Sequence, residues 1–374
     1  MTDHDVIVVG GGAMGSAAAW QLASRGRDVL LLERFADGHA NGASHGASRN
    51  FNVSYADAAH VALLVEAGRQ WEELEAETGA SLLARVGIVN HGDHPELDAV
   101  HEALGAAGIP SEFLPAAEAC DRWPGLRFAT RVLHTPTAGR LNADASVRAL
   151  QQAAAARGAE VRHETPVRGI RVLDDDLVEV TLENSTAGGA GTVLTAKRVV
   201  VAAGAWTSKL VGGLLPLPGL VVTQEQPGHF AVVDTSFEWP GFNHRPGPGD
   251  EWWYSGVYGM LTPGEGVKAG WHGTGPVVDP DHRDFTAEPV QFEALRRYVR
   301  EWIPGADADA ARAISCTYTT SPDSVFVLDA VGPLVVAAGF SGHGFKFTPA
   351  IGRVLADLAE GRPSPEPFRL ARFA

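Results

Sequence analysis

The chain has 374 residues, 45% of them hydrophobic and 20% charged, the profile of a globular protein long enough to build two domains with separate cores. A formal charge of −15 with no basic run argues against nucleic acid or an anionic membrane as partner, and no apolar stretch approaches the length of a membrane span. Cys120 and Cys316 are the only cysteines, too few for a disulfide framework.

The first five residues are acidic and lead straight into a glycine-rich turn, without the basic and apolar regions of a signal peptide, and Arg372-Phe373-Ala374 is no peroxisomal address. A cytoplasmic protein is expected. Asp5 to Val9 is a valine-rich run that breaks at Gly10-Gly11-Gly12 and then acquires helical spacing, with Met14, Ala17, Ala18 and Leu22 on one face and Gly26 to end it. Strand, tight turn and helix in that order aim a helix amino end at a phosphate, and the glycines at 10, 12 and 15 serve the turn, the close backbone approach and the packing of helix on strand. A second strand, Val29 to Leu32, ends at Glu33, 18 residues after Gly15, close to the spacing at which a carboxylate accepts hydrogen bonds from a ribose.

Beyond this unit, a long amphipathic helix is predicted after Tyr55, with Val61, Leu64, Val65, Gly68 and Trp71 on one face and Gly79 past its end; a second runs from Asp144 toward Gly158. Short strands are expected at Glu160 to His163, Val167 to Val172, Leu177 to Leu182, Val193 to Thr195 and Arg198 to Val201, with a low-complexity hairpin tip at Ser185 to Gly191. From about Val221 to Ile314 the texture changes to proline, glycine and tryptophan between short extended runs, which reads as a second domain inserted into the first. Leu334 to Ala338 then makes a strand and a glycine loop follows. Thr348 is placed to cap a last helix, with Pro349 at its first position and Ile351, Val354, Leu355 and Leu358 as its apolar stripe.

Six ordered segments carry a resemblance that spans nearly the whole chain. They are the Gly10 to Gly15 turn with Glu33, the run from Gly42 to Arg49, Arg122-Trp123-Pro124-Gly125, Ala202 to Trp206, Cys316 to Asp323, and Gly339 to Lys346. In these the sequence resembles the monomeric sarcosine oxidase branch of the D-amino-acid-oxidase-like flavoproteins. The resemblance implies an α/β fold: a Rossmann-like FAD-binding domain (1–86, 147–220 and 315–374) with an inserted α+β substrate domain on an antiparallel sheet (87–146 and 221–314). It also implies a monomer that oxidises secondary amines with oxygen, yielding an imine and hydrogen peroxide. FAD would contact Gly10, Gly12, Ala13, Met14, Gly15, Glu33, Arg34, Ser44, Arg49, Val167, Ala203, Gly204, Trp206, Cys316, Gly339, Gly342, His343, Gly344 and Lys346.

A solitary cysteine is most often an inert, buried small hydrophobe, and Cys120 is read that way. Cys316 opens a Cys-x-Tyr-Thr-x-x-Pro-Asp segment, whose cysteine in the resembling enzymes forms a thioether to the flavin, so covalent FAD is expected there. Lys268, in Gly266-Val267-Lys268-Ala269-Gly270-Trp271-His272, matches a lysine whose fixed ammonium lowers the cost of the first electron transfer to oxygen by stabilising superoxide. Tyr254, His272 and Tyr318 match active-site positions, Lys346 matches the lysine that pairs with the substrate carboxylate, and His45 and Arg49 would lie beside the flavin. Trp252, Trp253, Tyr254, Tyr258 and Trp271 read either as hydrophobic core or as an aromatic wall over the flavin.

One position departs from the pattern. The family reads Arg-x-x-Arg-x-x-Tyr where this chain reads Arg49-Asn50-Phe51-Asn52-Val53-Ser54-Tyr55, so the second arginine, which clamps the carboxylate with the lysine, is replaced by Asn52. Exchanging a bidentate cation for an amide costs about 2 kcal/mol or more of carboxylate recognition. Either Lys346 and polar neighbours such as Asn50 and Asn52 hold the carboxylate, or the substrate presents hydroxyls there, as a fructosyl amino acid would; an N-substituted amino acid is favoured over an unsubstituted one. A flavin dehydrogenase with another electron acceptor, and a non-catalytic or NAD-dependent nucleotide-binding protein, remain alternatives. Ser341 is not a nucleophile elbow, because His343 stands where glycine is required, and His91 and His94 lack further ligands at metal spacing, so no metal is expected.

Overall fold

A computed structural model describes residues 2–183 and 191–374; the Ser185 to Gly191 tip, Gly191 apart, lies outside the described residues. Two eight-stranded sheets organise the chain. The first is built on parallel strands in the order Glu160–Arg162, Val29–Leu32, His4–Val9, Val193–Val201 and Leu334–Ala338, with Val327–Val331 antiparallel at the edge. Strands buried on both faces must be apolar throughout, as Val6 to Val9 and Val29 to Leu32 are. The runs 193–195 and 198–201, expected as two strands, form one, because Ala196 pairs with both His4 and Val178 and carries the ladder through. The first half of this strand also pairs with the Val167–Asp174/Leu177–Leu182 hairpin, so the meander grows out of the parallel sheet.

Helices Ala13–Ser24, Ala58–Thr78, Ala143–Ala156 and Thr348–Ala359 pack together over one face of this sheet. Close approach is built in: a Cβ on Gly352 would fall 2.6 Å from Ala17. The Ala58–Thr78 helix is capped by Asp57, which accepts from the His60 amide, and ends at Gly79 with φ +70°. Val61, Leu64, Gly68 and Trp71 are buried as predicted, but Val65 is 40% exposed, since it lies at the edge of a stripe completed by Ala67 and Leu74. Thr348 is the first helical residue rather than a side-chain cap. Its hydroxyl donates to the Phe345 carbonyl at 2.6 Å, because a 3₁₀ turn, Phe345–Phe347, precedes the helix.

The second sheet is mainly antiparallel. It runs Ala306–Ala313, Gly228–Val232, Gly266–Trp271, Val257–Thr262, Gly241–Arg245, Ile88–Gly92, Val132–Thr135 and Glu112–Leu114, and helix Pro289–Trp302 packs against its first strands. Between the sheets, Val221–Glu225 pairs with Cys316–Thr320, and Arg49–Phe51 pairs with Gly139–Leu141. These two small pairings bring the Arg49 and Cys316 segments to the line where the large sheets meet.

Candidate active site

The glycine turn makes a tight cradle. Gly10 has φ +108°, a Cβ there would fall 2.4 Å from the Ala202 carbonyl, and one on Gly15 would fall 1.9 Å from the Gly10 carbonyl, so strand, turn and helix meet backbone to backbone. The turn is pinned from outside: Glu33 accepts from the Gly11 amide at 2.7 Å and the Phe35 amide at 2.8 Å, and the Ala13 amide donates to the Ser44 hydroxyl at 3.0 Å. A carboxylate with two such bonds keeps acceptor capacity for two more. Glu33 borders two cavities, of about 240 and 130 Å³. The larger is lined by Gly10, Gly12, Arg34, Val167, Ala203, Gly204 and Trp206, the smaller by Ser44 and His45. Asp281 closes the outer end of the larger, accepting from Arg34 at 2.8 Å, the Trp206 indole at 2.7 Å and Lys209 at 2.6 Å.

A third cleft, of about 570 Å³, gathers Arg49, Asn52, Lys268, His272, Cys316, Tyr318, Gly342, His343 and Lys346 from segments far apart in sequence. The Arg49 guanidinium donates to the carbonyls of Ser48 at 2.7 Å, Ala43 at 2.9 Å and His45 at 2.6 Å, and stands 3.9 Å from Cys316 Sγ. His45 sits between the Gly42 and Ser315 carbonyls, at 2.8 and 3.0 Å; burial, and then the Arg49 charge, lower its pKa to about 4, while the two carbonyl acceptors act in the opposite direction. Lys268 is buried, with one long contact of 3.5 Å to the Ser48 carbonyl, and loss of hydration followed by the Arg49 charge lowers it to about 7. Lys346 is also buried and lowered to about 7 by burial; its ammonium donates to the His343 carbonyl at 2.9 Å and lies 5.2 Å from the Tyr55 ring centre. His272 Nδ1 and Tyr318 Oη are 3.3 Å apart.

The Gly339 to Lys346 loop is held in left-handed conformations at Gly339, Ser341 and Gly342, with φ of +66°, +50° and +78°. A Cβ on Gly342 would enter the Tyr318 ring at 2.1 Å. Gly342→Ala is therefore expected to cost about 2–4 kcal/mol through strain and overlap together, read as a fall in thermal midpoint with weakened cofactor retention; an unchanged midpoint would show that the loop can shift.

Ala13, Met14, Gly15, Gly339 and Gly344 do not line the three cavities described above. Met14 accepts the Thr348 hydroxyl at 3.8 Å, and a Cβ on Gly344 would overlap Phe340 at 2.6 Å. Tyr254 is 45% exposed in the turn before the Val257–Thr262 strand and packs on Trp271, outside the cleft; Tyr258, within that strand, lines the cleft. Trp252, Trp253 and Trp271 belong to the core under helix Pro289–Trp302, so of the five aromatics only Tyr258 serves the cleft. Ser54, Asn90, Asn243 and Arg245 also line it and had not been singled out from sequence. Asn243 donates to Asn90 at 3.0 Å and Asn90 to Ser54 at 3.0 Å, a chain of neutral polar groups in the cleft that Asn52 shares.

A glycine cradle, a carboxylate beyond the second strand and a cleft that gathers Arg49, Lys268 and Cys316 suit a dinucleotide cofactor. Residues 5–358 match the family model described as FAD dependent oxidoreductase. The chain belongs to that family. Monomeric sarcosine oxidase of Bacillus sp. (strain B-0618) is 34% identical over 375 residues, covering 96% of this chain and 92% of the relative. N-methyl-L-tryptophan oxidase of Yersinia pestis (strain Pestoides F) is 28% identical, with 99% and 100% covered. Among solved structures, NikD, described as an unusual amino acid oxidase essential for nikkomycin biosynthesis, superposes with a TM-score of 0.83 at 28% identity, covering 95% of this chain and 93% of that one. The protein is thus an α/β FAD-dependent oxidoreductase. Among the described residues, no helix is long and apolar enough to cross a membrane.

Proposed function

We propose that this FAD enzyme oxidises an N-substituted amino acid at the carbon beside nitrogen and passes the electrons to oxygen. The observation that carries the reading is the convergence of Cys316, Lys268, Arg49, the His272–Tyr318 pair and Lys346 in one cleft. Bound FAD supplies the two-electron acceptor. The reaction balances as loss of one C–H and one N–H from a secondary amine, giving an imine, with O₂ converted to H₂O₂.

The roles proposed for the chain's own groups follow from their surroundings. Lys346, buried and lowered to about 7, has one carbonyl partner and takes the substrate carboxylate as its ammonium, a pairing that favours the charged form. Asn52 and the neighbouring amides complete that wall. Neutral His272 and Tyr318 orient the amine, which must reach the cleft unprotonated. Arg49 complements negative charge at the cofactor ring, Lys268 serves oxygen, and Cys316 forms the covalent attachment. The first-sheet lobe (1–86, 147–220, 315–374) would hold FAD and the second (87–146, 221–314) would roof it, in a cytoplasmic monomer.

The test is peroxide release from the purified yellow protein offered sarcosine, larger N-methyl amino acids, cyclic imino acids and fructosyl amino acids. Bleaching of the flavin by amine without peroxide would replace oxygen by another acceptor, and a colourless protein would overturn the reading. Asn52→Arg is expected to lower the KM for sarcosine about ten-fold or more by restoring a bidentate carboxylate clamp; an unchanged KM would mean that the carboxylate does not reach this wall.

A further inference from the structure

The cleft is cationic on a strongly acidic protein. Against a chain charge of −15, its lining carries Arg49, Arg245, Lys268 and Lys346 and a single carboxylate, Glu96. Three of the cations are engaged with backbone carbonyls. Arg245 is not: among the described residues, neither a hydrogen bond nor an ion pair joins its guanidinium to any group, Glu96 included.

The backbone around Arg245 keeps it that way. It ends the Gly241–Arg245 strand, and its cross-strand partner on one side is Gly92. On the other side its stem passes Gly256, where even an added Cβ would stand 3.7 Å from Arg245 Cδ. Neither flank has a side chain to pair or cover the guanidinium. The Gly256 carbonyl accepts from the His272 amide at 3.1 Å, which ties the Arg245 stem to the segment holding the candidate catalytic histidine. The positive charge of Arg245 also acts on both His272 and His94 across the cleft. A free guanidinium facing a cleft is matched by a planar anion that it can grip through two N–H bonds.

Resting on the reading of the cleft as an amine oxidase site, we infer that Arg245 forms a second anion subsite and that the substrate is a secondary amine with two carboxylates. One carboxylate binds Lys346 and the other, on the N-substituent or the side chain, binds Arg245. The position of the first family arginine's missing companion, Asn52, is thereby offset by a cation from a different strand.

The test uses thioethers, which mimic secondary amines without being oxidised. Binding of thiodiacetate and of the one-methylene-longer (carboxymethylthio)propionate is compared with that of (methylthio)acetate by perturbation of the visible spectrum of the holoenzyme. The better dicarboxylate should bind about ten-fold or more tightly than the monocarboxylate, and Arg245→Met should bring the two within about two-fold while leaving (methylthio)acetate unaffected. Arg245→Lys should retain part of the preference, and added salt should erode it, since the subsite is exposed. A wild-type enzyme with no preference, or a preference that survives Arg245→Met, overturns the subsite even if N-methyl amino acids are oxidised. Failure of every secondary amine to yield peroxide would strike the oxidase reading instead, and the thioether preference would still decide the subsite.

Discussion

Lys268→Met is expected to slow reoxidation by oxygen about 10²–10³-fold, the usual effect of removing one preorganised electrostatic group, while reduction by substrate changes by only a few-fold. Lys268 is suited to this because it is buried, unpaired by any carboxylate within salt-bridge distance among the described residues, and held by only one long carbonyl contact. Its charge is therefore available to an oxygen species that becomes negative as it accepts an electron. The pH dependence follows from the lowered pKa. Burial and Arg49 bring the ammonium to about 7, so in the free cleft the cation dominates below that value and is lost above it. Wild-type reoxidation should decline as pH rises through the lysine's pKa, displaced upward by any anion bound nearby, and the methionine variant should lose that dependence. Rapid-mixing measurement of the two half-reactions separates the cases, and equal slowing of both would remove Lys268 from the oxygen step.

Legibility of this molecule in its sequence depended on how local each feature was. The strand, glycine turn and helix from His4 to Ser24 could be read directly, because the alternation of apolar run, three glycines and helical stripe is contained within about one turn of each element. The strand at Leu334–Ala338 was likewise self-evident from five consecutive apolar residues. Tyr254 and Tyr258 were harder, since both sit in one aromatic stretch and only the start of the strand at Val257 decides which ring turns to the cleft. The segment Gly241-Phe242-Asn243-His244-Arg245 did carry a period-two signal, with Phe242 and His244 buried and Asn243 and Arg245 less so, but it lies among prolines and glycines that read as loop. Lys268 meeting Ser48, and Cys316 meeting Arg49, are contacts across 220 and 267 residues. No local pattern encodes them; family resemblance brought those residues together before the fold did.

Cys316→Ala should release the cofactor: acid precipitation of the variant is expected to leave the yellow colour in the supernatant, whereas the wild-type polypeptide should carry it into the pellet. Geometry favours attachment at this sulfur over Cys120. Cys316 lines the large cleft, 3.9 Å from the Arg49 guanidinium and 3.9 Å from the Ala43 carbonyl, while Cys120 lies in the second core with its thiol toward the Phe128 carbonyl at 3.7 Å. A thiol attacks as its thiolate, and a guanidinium beside it complements that charge. Antiparallel pairing of Cys316 with Glu225 fixes the sulfur at the first residue of its strand, so its position does not depend on loop mobility. Substitution to alanine removes only the sulfur at a site 9% exposed, so a fold collapse is not expected, and circular dichroism of the variant checks this. Mass spectrometry of the intact wild-type chain supplies the independent readout. A mass equal to the polypeptide alone, with colour lost on acid treatment, would leave FAD bound by the cradle without a covalent tether and would remove Cys316 from the chemistry while leaving the fold and the amine site untouched.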